Sequence, residues 1–152
     1  MGTVRAICPA MPVRRYQDFV AWQLGERFKL EIFRIVRASP RAQADLRFKS
    51  QILEAARSVP ANIAEGFLRC SAGDFARFLD YSIASIGESE NRLHDGVALE
   101  YFAASGCAAA LKLARRCLTA CVRLKQSQIR YMHAKRTSRS RSKTPRCAED
   151  AM

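Results

Sequence analysis

The residues that could catalyse a reaction are few in this 152-residue chain, and their spacing argues against an enzyme. Glu88 and Glu90 are two positions apart, so on a helix they face different directions and cannot act together as acid and base. Glu90 and His94 are four apart, whereas di-iron helix bundles use Glu-x-x-His. The chain also has no Gly-x-Ser-x-Gly turn and no glycine-rich phosphate loop. We therefore predict a non-enzymatic protein with no catalytic residue, no metal and no cofactor.

The other reactive side chains are six cysteines. Cys117 and Cys121 are four apart and share one face of a helix, as half of a metal site would require. No second close pair of Cys or His completes such a site, because only His94 and His133 remain to contribute. Disulfides are not expected in a chain without an export signal. The prediction is that these thiols are small buried residues of a core.

Positive charge is the strongest chemical feature: the net charge is +12, and no acidic residue occurs from Tyr101 to Ala148. Lys and Arg on the outer face of a last helix, continued by a basic arm, suit contact with a phosphate backbone without reading of bases. Only Tyr131 could stack on a base there. The alternative is a solvated surface with a solubility tail. The predicted nucleic-acid-binding residues are Lys112, Arg115, Arg116, Arg123, Lys125, Arg130, Lys135, Arg136, Arg139, Arg141 and Lys143.

Four long helices must position these residues, and apolar periodicity predicts each of them. Asp18 and Ser71 are suited to be the N-caps of the first and third helices. Small residues seven apart on the third helix, Ser82, Ser89 and Gly96, would let a neighbouring backbone come close. The predicted bounds are about 18–38, 42–65, 71–99, and from 103 or 105 to 130.

The second of these helices carries a proline in its interior. Apolar residues recur at steps of three and four from Phe48 to Ile63, which keeps them on one helical face. Pro60 interrupts the hydrogen bonding within that pattern at a cost of about 3 kcal/mol. Such a proline is kept either where packing holds the helix together or where the helix ends and restarts, and we expect Gly66 to end the helix.

These patterns predict an all-α fold, an antiparallel up-down four-helix bundle with a disordered basic C-terminal tail. The predicted division is a flexible leader over 1–15, the bundle over 16–131 and the tail over 132–152. No apolar run approaches the roughly 18 residues that a membrane span needs, and no secretory signal precedes the bundle. We therefore expect a cytoplasmic protein without membrane contact.

The first helix carries more apolar surface than a monomer needs. Its main apolar face runs from Ala21 to Ile35, and a second flank lies beside it. One apolar stripe is normally enough to hold a helix against a single core. The second flank consists of Phe19, Trp22, Leu30 and Phe33. It therefore predicts a homo-oligomer.

The stretch Val59-Pro-Ala-Asn-Ile-Ala-Glu-Gly66 resembles the S-I-P-x-N-I-A-E-G hallmark of the 23S rRNA-intervening-sequence protein family, a family of four-helix-bundle proteins. Flanking segments resemble other family motifs in the same order, over roughly residues 16 to 125: Tyr16-Gln-Asp-Phe19 with Trp22-Gln23, then Asp74-Phe-Ala-Arg-Phe-Leu79, then Glu88-Ser-Glu90. The motif residues, for which the resemblance implies a structural role, are Trp22, Pro60, Asn62, Glu65, Gly66, Phe75, Arg77, Glu88 and Glu90.

The resemblance implies a small antiparallel helix bundle that assembles as a ring-like pentamer, with no established biochemical role and only a hint of RNA. The chain departs from the family where a basic pair often precedes Ala-Ala, because Leu53-Glu54 stands there. Two functions follow as hypotheses. The first is a homo-oligomer that binds RNA or DNA through the last helix and the tail. The second is a scaffold that binds a protein partner and has no contact with nucleic acid.

Overall fold

The computed structural model describes residues 13–141, with side chains to residue 138. These residues form helices and connecting turns and contain no β-strand. The first twelve residues of the predicted leader, and the part of the predicted tail from 142 to 152 with Lys143, lie outside the described residues. The elements are a 3-10 turn Tyr16–Asp18, α1 Val20–Ala38, α2 Pro40–Ala44, α3 Leu46–Leu68, α4 Ala72–Ala98 and α5 Ala104–Arg141.

Each of the four long helices packs mainly against two others. α1 lies against α3 and α5, and α4 lies against the same two helices. The predicted apolar faces meet in one core, where Phe28, Ile52, Ile86 and Cys117 are fully buried. The periodicity of the sequence therefore placed the core-facing sides of these helices correctly.

The start of α1 differs from the prediction. Asp18 belongs to the 3-10 turn, and Phe19 occupies the N-cap position without a side-chain hydrogen bond. The Phe19 ring is buried, with its centroid 5.5 Å from that of Phe67 and 5.6 Å from that of Phe75. Burial of this ring, rather than a capping oxygen, fixes where the chain enters α1. Phe19 therefore belongs to the core and not to an exposed flank.

The second predicted helix is in fact two helices, α2 and α3. The Ser39 hydroxyl accepts a hydrogen bond from Ala42 N–H at 3.1 Å, and Asp45 Oδ1 accepts one from Phe48 N–H at 2.9 Å. Asp45 is thus the N-cap of α3, and its own backbone is extended rather than helical. Pro60 does lie inside α3, as predicted, and is buried.

Gly66 does not end α3, contrary to the prediction. The helix continues to Leu68, and Cys70 supplies the left-handed residue of the turn, with φ 56°. A Cβ atom on Gly66 would lie only 2.6 Å from Phe78 Cβ on α4. Glycine is needed here for the close approach of α3 and α4 rather than for a turn.

The third predicted helix agrees closely with α4. Ser71 is the N-cap, and its hydroxyl accepts from Asp74 N–H at 3.4 Å. Ser82, Ser89 and Gly96 are all buried on the packed side of α4, as their heptad spacing predicts. The Ser82 hydroxyl donates to the Val59 carbonyl of α3 at 2.9 Å.

α5 begins at Ala104, between the two predicted starts, and is 38 residues long. It continues to Arg141, so residues 132–141 are helical turns and not part of a disordered tail. One packing contact lies beyond the predicted end, because Met132 Sδ is 3.5 Å from where a Cβ on Gly73 of α4 would stand. The helix then continues through residues 133–138 with exposed side chains.

Candidate nucleic-acid interface

Two of the acidic motif residues, Glu65 and Glu88, lie apart from each other on the surface. Glu65 pairs with Arg69 at 2.5 Å, and Glu88 lies 3.9 Å from Arg92. Within residues 13–141, no three His, Cys, Asp or Glu side chains come together as they would around a metal ion. These carboxylates therefore act as members of separate helix-surface ion pairs.

The remaining motif residues support the packing of α1, α3 and α4. Pro60 is buried against α1, because Gly25 has no side chain: a Cβ there would lie 3.2 Å from Val59 Cγ1 and 3.6 Å from Pro60 Cβ. Trp22 is half-buried beside Tyr16, with ring centroids 5.5 Å apart. The others are dispersed: Asn62 and Glu90 half-buried, Phe75 in the core and Arg77 paired with Asp74 at 3.1 Å. The motif thus marks helix packing rather than one pocket.

The cysteine pair of α5 lies in the core, as predicted. Cys117 and Cys121 are free thiols and fully buried. The Cys117 thiol donates to the Ala21 carbonyl of α1 at 3.5 Å. Its hydrogen bond with Cys121, together with burial, raises the pKa of Cys117 well above its ordinary value. A protonated, enclosed thiol is a packing group and not a nucleophile.

The outer face of α5 carries a row of cations. Lys112, Arg116, Arg123 and Arg130 are exposed and follow one another at steps of four and seven, which places them on one face. We call these four residues the α5 row, and the exposed Arg115 lies at its edge. The opposite face is buried through Ala110, Ala114, Cys117 and Cys121. Burial of that face directs the row toward solvent.

The α5 row is not neutralised by acidic partners. Within the part of the chain that the structure describes, none of its four residues takes part in an ion pair. Two basic residues of α1 do have acidic partners: Lys29 pairs with Glu26 at 2.7 Å, and Arg34 pairs with Glu31 at 2.6 Å. α5 itself contains ten basic and no acidic residues. The excess positive charge of the described residues is therefore concentrated on α5.

Lys125 lies apart from the row. Its Nζ contacts Asp80 Oδ1 of α4 at 2.5 Å, and its side chain is 30% exposed. Its position on the helix flanks the buried face, which turns it toward α4 instead of outward. Lys125 therefore ties α5 to α4 and contributes less to an external positive surface than the row does.

The C-terminal part of α5 projects beyond the other helices. Residues 133–138 are all exposed, Lys135 and Arg136 among them. Arg139 and Arg141 belong to the last turns of the same helix. The predicted binding residues thus lie on one continuous helix, except Lys143, which falls outside the described residues.

Sequence reasoning missed a polar network at one end of the bundle. The Tyr101 hydroxyl donates to Asp45 Oδ2 at 3.0 Å, and Arg41 donates to the Glu100 carbonyl at 3.2 Å. The capped Phe48 N–H and the Tyr101 hydroxyl lower the pKa of Asp45, and Asp45 in turn raises the pKa of Tyr101. Asp45 could have been found from its sequence position three residues before Phe48, as an N-cap.

An open cleft of about 370 Å³ adjoins this network. Its lining includes Arg34, Arg41, Pro40 and Tyr101. Arg34 is paired with Glu31, and the Arg41 guanidinium carbon lies 5.7 Å from the centre of the Tyr101 ring. Arg34, Arg41 and Tyr101 thus already have partners, and the cleft separates the end of α1 and the start of α2 from the turn between α4 and α5.

A family model described as 23S rRNA-intervening sequence protein matches residues 17–121. That range covers α1 to α4 and the first half of α5, with Lys112, Arg115 and Arg116 inside it and Arg123 and Arg130 beyond it. No curated protein matches the chain significantly. Among residues 13–141, no helix has both the length and the apolar character required to cross a bilayer.

Proposed function

We propose that this chain, which belongs to the 23S rRNA-intervening sequence protein family, is a non-enzymatic, homo-oligomeric, cytoplasmic helix bundle. We propose that it binds the backbone of RNA or DNA through α5. The family name supplies an RNA-related context. The observation that carries the proposal is the α5 row, four exposed cations without an ion pair among the described residues. Unpaired cations on one surface are the electrostatic footprint of nucleic-acid binding.

A non-enzymatic role agrees with where the reactive side chains lie. Glu65 and Glu88 are separated in helix-surface ion pairs, and Cys117 and Cys121 are enclosed in the core. Nucleophile, base and acid would have to meet at one place, within hydrogen-bond reach of one another. The arrangement of these groups favours a binding surface over a catalytic pocket.

We further propose that the four long helices run up and down in sequence order. Contacts between neighbouring helices support it: Gly25 near the start of α1 faces Pro60 late in α3, and Gly66 at the end of α3 faces Phe75 at the start of α4. Ser82 of α4 likewise lies 3.9 Å from Cys121 of α5. The bundle then presents α5 on the corner diagonal to α3, since α5 packs mainly against α1 and α4.

The proposed assembly uses the remaining flank of α1. Leu30 is 58% exposed, and Trp22 and Phe33 are only partly buried. Arg57 of α3 lies over the Phe33 ring, with its guanidinium carbon 5.1 Å from the ring centre. A second copy that covers this α1–α3 side leaves the α5 row open to solvent. Five copies in a ring, as the family resemblance implies, would strengthen weak phosphate contacts through avidity.

The experiment that tests this function replaces Lys112, Arg116 and Arg123 together with Gln. Because each lost phosphate contact reduces the log–log salt slope by about 0.9 on duplex DNA or about 0.7 on single strands, we expect the slope to fall by about 2 to 3. Fluorescence anisotropy with labelled RNA and DNA at several salt concentrations measures it.

The matched control replaces Arg14, Arg37 and Arg47 with Gln. These arginines are also exposed and take part in no ion pair within residues 13–141, so the same total charge is removed from other surfaces. The control should keep most of the salt slope. Equal effects of the two variants would show that net charge alone matters and that α5 is not an interface.

The alternative function is a protein-interaction scaffold. An open cleft of about 240 Å³ favours it, lined by residues that include Trp22, Arg57, Pro60 and Ala61. A partner held in such a cleft should bind in a largely salt-tolerant way, whereas phosphate contacts weaken steeply with salt. A chain without measurable affinity for nucleic acid at low salt would favour this alternative.

A further inference from the structure

The α5 row is a straight line of fixed charges. At 100° per residue its four members fall within about 40° around the helix axis, and at 1.5 Å per residue Lys112 and Arg130 are about 27 Å apart along it. The helix cannot rotate or bend freely there, because Ala114, Cys117 and Cys121 on its opposite face are buried in the core. The row therefore presents its cations at set intervals.

No aromatic side chain accompanies these charges. Between Ala104 and Ser138 the ring-bearing residues of α5 are Tyr131 and His133, both beyond the last member of the row. Tyr131 is half-buried. Proteins that bind single strands without sequence preference place successive bases on aromatic rings within a basic groove. The row instead lies on the exposed face of α5. Its cations can contact phosphates, but no aromatic ring lies among them on which a base could stack.

The row also contains repulsion between like charges. Lys112 and Arg116 are four positions apart on one face, an arrangement that destabilises a helix. On α4, by contrast, Arg77 has Asp74 three positions before it, at 3.1 Å. A bound polyanion would relieve the repulsion between the members of the row, and the relief is greatest where phosphate density is highest.

From these three features we infer that the α5 row binds double-stranded nucleic acid in preference to single strands, an inference that rests on the function proposed above. With stacking absent, counterion release is the main source of affinity. A duplex carries one charge per about 1.7 Å of its axis and releases about 0.9 ion per contact, against about 0.7 for a single strand. The row spans about eight base pairs at 3.4 Å each.

The test compares one duplex of about 20 base pairs, more than twice the length of the row at 3.4 Å per pair, with each of its two separated strands. The full-length protein is titrated by anisotropy between about 50 mM and about 200 mM salt. Four phosphate contacts predict slopes of about −3.6 for the duplex and about −2.8 for the strands, so the affinities fall by about 150-fold and about 50-fold. We expect the duplex to bind more tightly throughout this range.

Two triple variants test whether the preference for duplex comes from the α5 row. The Lys112→Gln, Arg116→Gln, Arg123→Gln protein should lose most of its duplex preference, and the Arg14→Gln, Arg37→Gln, Arg47→Gln protein should keep it. Circular dichroism verifies that both variants are folded. A duplex preference that survives in the first variant would overturn the assignment to α5.

Two further outcomes separate this inference from the function on which it rests. Equal or tighter binding of the single strands, lost in the Lys112→Gln, Arg116→Gln, Arg123→Gln protein, would overturn the duplex inference and leave the proposed function standing. Absence of binding to every nucleic acid at about 50 mM salt, where electrostatic contacts are strong, would overturn both.

Discussion

Gly66 and Gly87 form a pair of glycines for which the structure predicts opposite effects of the same substitution. Both lie inside helices, Gly66 in α3 and Gly87 in α4. A Cβ on Gly66 would meet Phe78 Cβ at 2.6 Å and the Phe75 ring at 2.9 Å, whereas a Cβ on Gly87 would meet nothing within 4 Å. Replacement by Ala therefore adds a methyl group to a packed interface in one case and to solvent in the other.

The magnitudes follow from two competing contributions. Ala is favoured over Gly in a helix interior by about 0.5–1 kcal/mol, which raises the free energy of unfolding at both sites. At Gly66 the methyl group must push α4 away, since Phe78 Cβ is attached directly to the backbone, and overpacking costs about 1–3 kcal/mol. We expect Gly66→Ala to lower the free energy of unfolding by about 1–2 kcal/mol net, and Gly87→Ala to raise it by about 0.5–1 kcal/mol.

Urea unfolding followed by circular dichroism measures both variants at one fixed protein concentration, because assembly would make stability depend on concentration. The two midpoints should move in opposite directions from that of the parent, with unchanged m-values. If Gly66→Ala stabilises the protein as much as Gly87→Ala does, α3 and α4 do not approach as closely as described. The reasoning from Cβ distances would then be refuted.

Three other predictions follow from the described contacts. Asp45 has a folded-state pKa below its ordinary value of 3.8, so its ionised form adds stability above that value, and this stability is lost as pH falls through the folded pKa. Asp45→Asn should therefore give a shallower acid-unfolding curve. In the same variant the raised pKa of Tyr101 should fall back toward 10.0 in an absorbance titration. In a Cys8→Ser, Cys147→Ser protein, a thiol reagent should label Cys70 rapidly; slow labelling without denaturant is expected for the buried thiols, Cys107, Cys117 and Cys121. Leu30→Glu should reduce the mass measured by light scattering if α1 forms the oligomer interface. Leu46→Glu, which changes a residue that is 71% exposed, should leave that mass unchanged. An unchanged mass for both variants would show that this flank of α1 is not the interface.

Local patterns predicted much of the fold. Steps of three and four placed Phe48, Ile52 and Ile63 in the core, and the capping pattern at Ser71 placed the start of α4 correctly. Such features depend on neighbours within one or two helical turns, so they can be identified from the sequence alone. The same periodicity placed the α5 row opposite the buried face, so the main candidate surface was also predictable.

Features that depend on partners from another helix were not predictable in this way. Gly66 looked like a helix stop until α4 placed Phe78 against it, and Lys125 looked like a member of the basic face until α4 placed Asp80 beside it. Phe19 looked like an exposed flank until Phe67 and Phe75 enclosed it.

The sequence by itself therefore determined the helices, their core-facing sides, the family motif and the acid-free positive charge of α5. Tertiary structure decided what several residues do: that Gly25 accommodates Pro60, that Gly66 allows α3 and α4 to approach, and that Lys125 pairs with Asp80. The physical reason is the distance along the chain between the residues that interact. Periodicity, caps and charge runs act through neighbours along the chain, whereas the role of a glycine, a proline or a lysine depends on the atoms that a distant segment brings within a few ångströms.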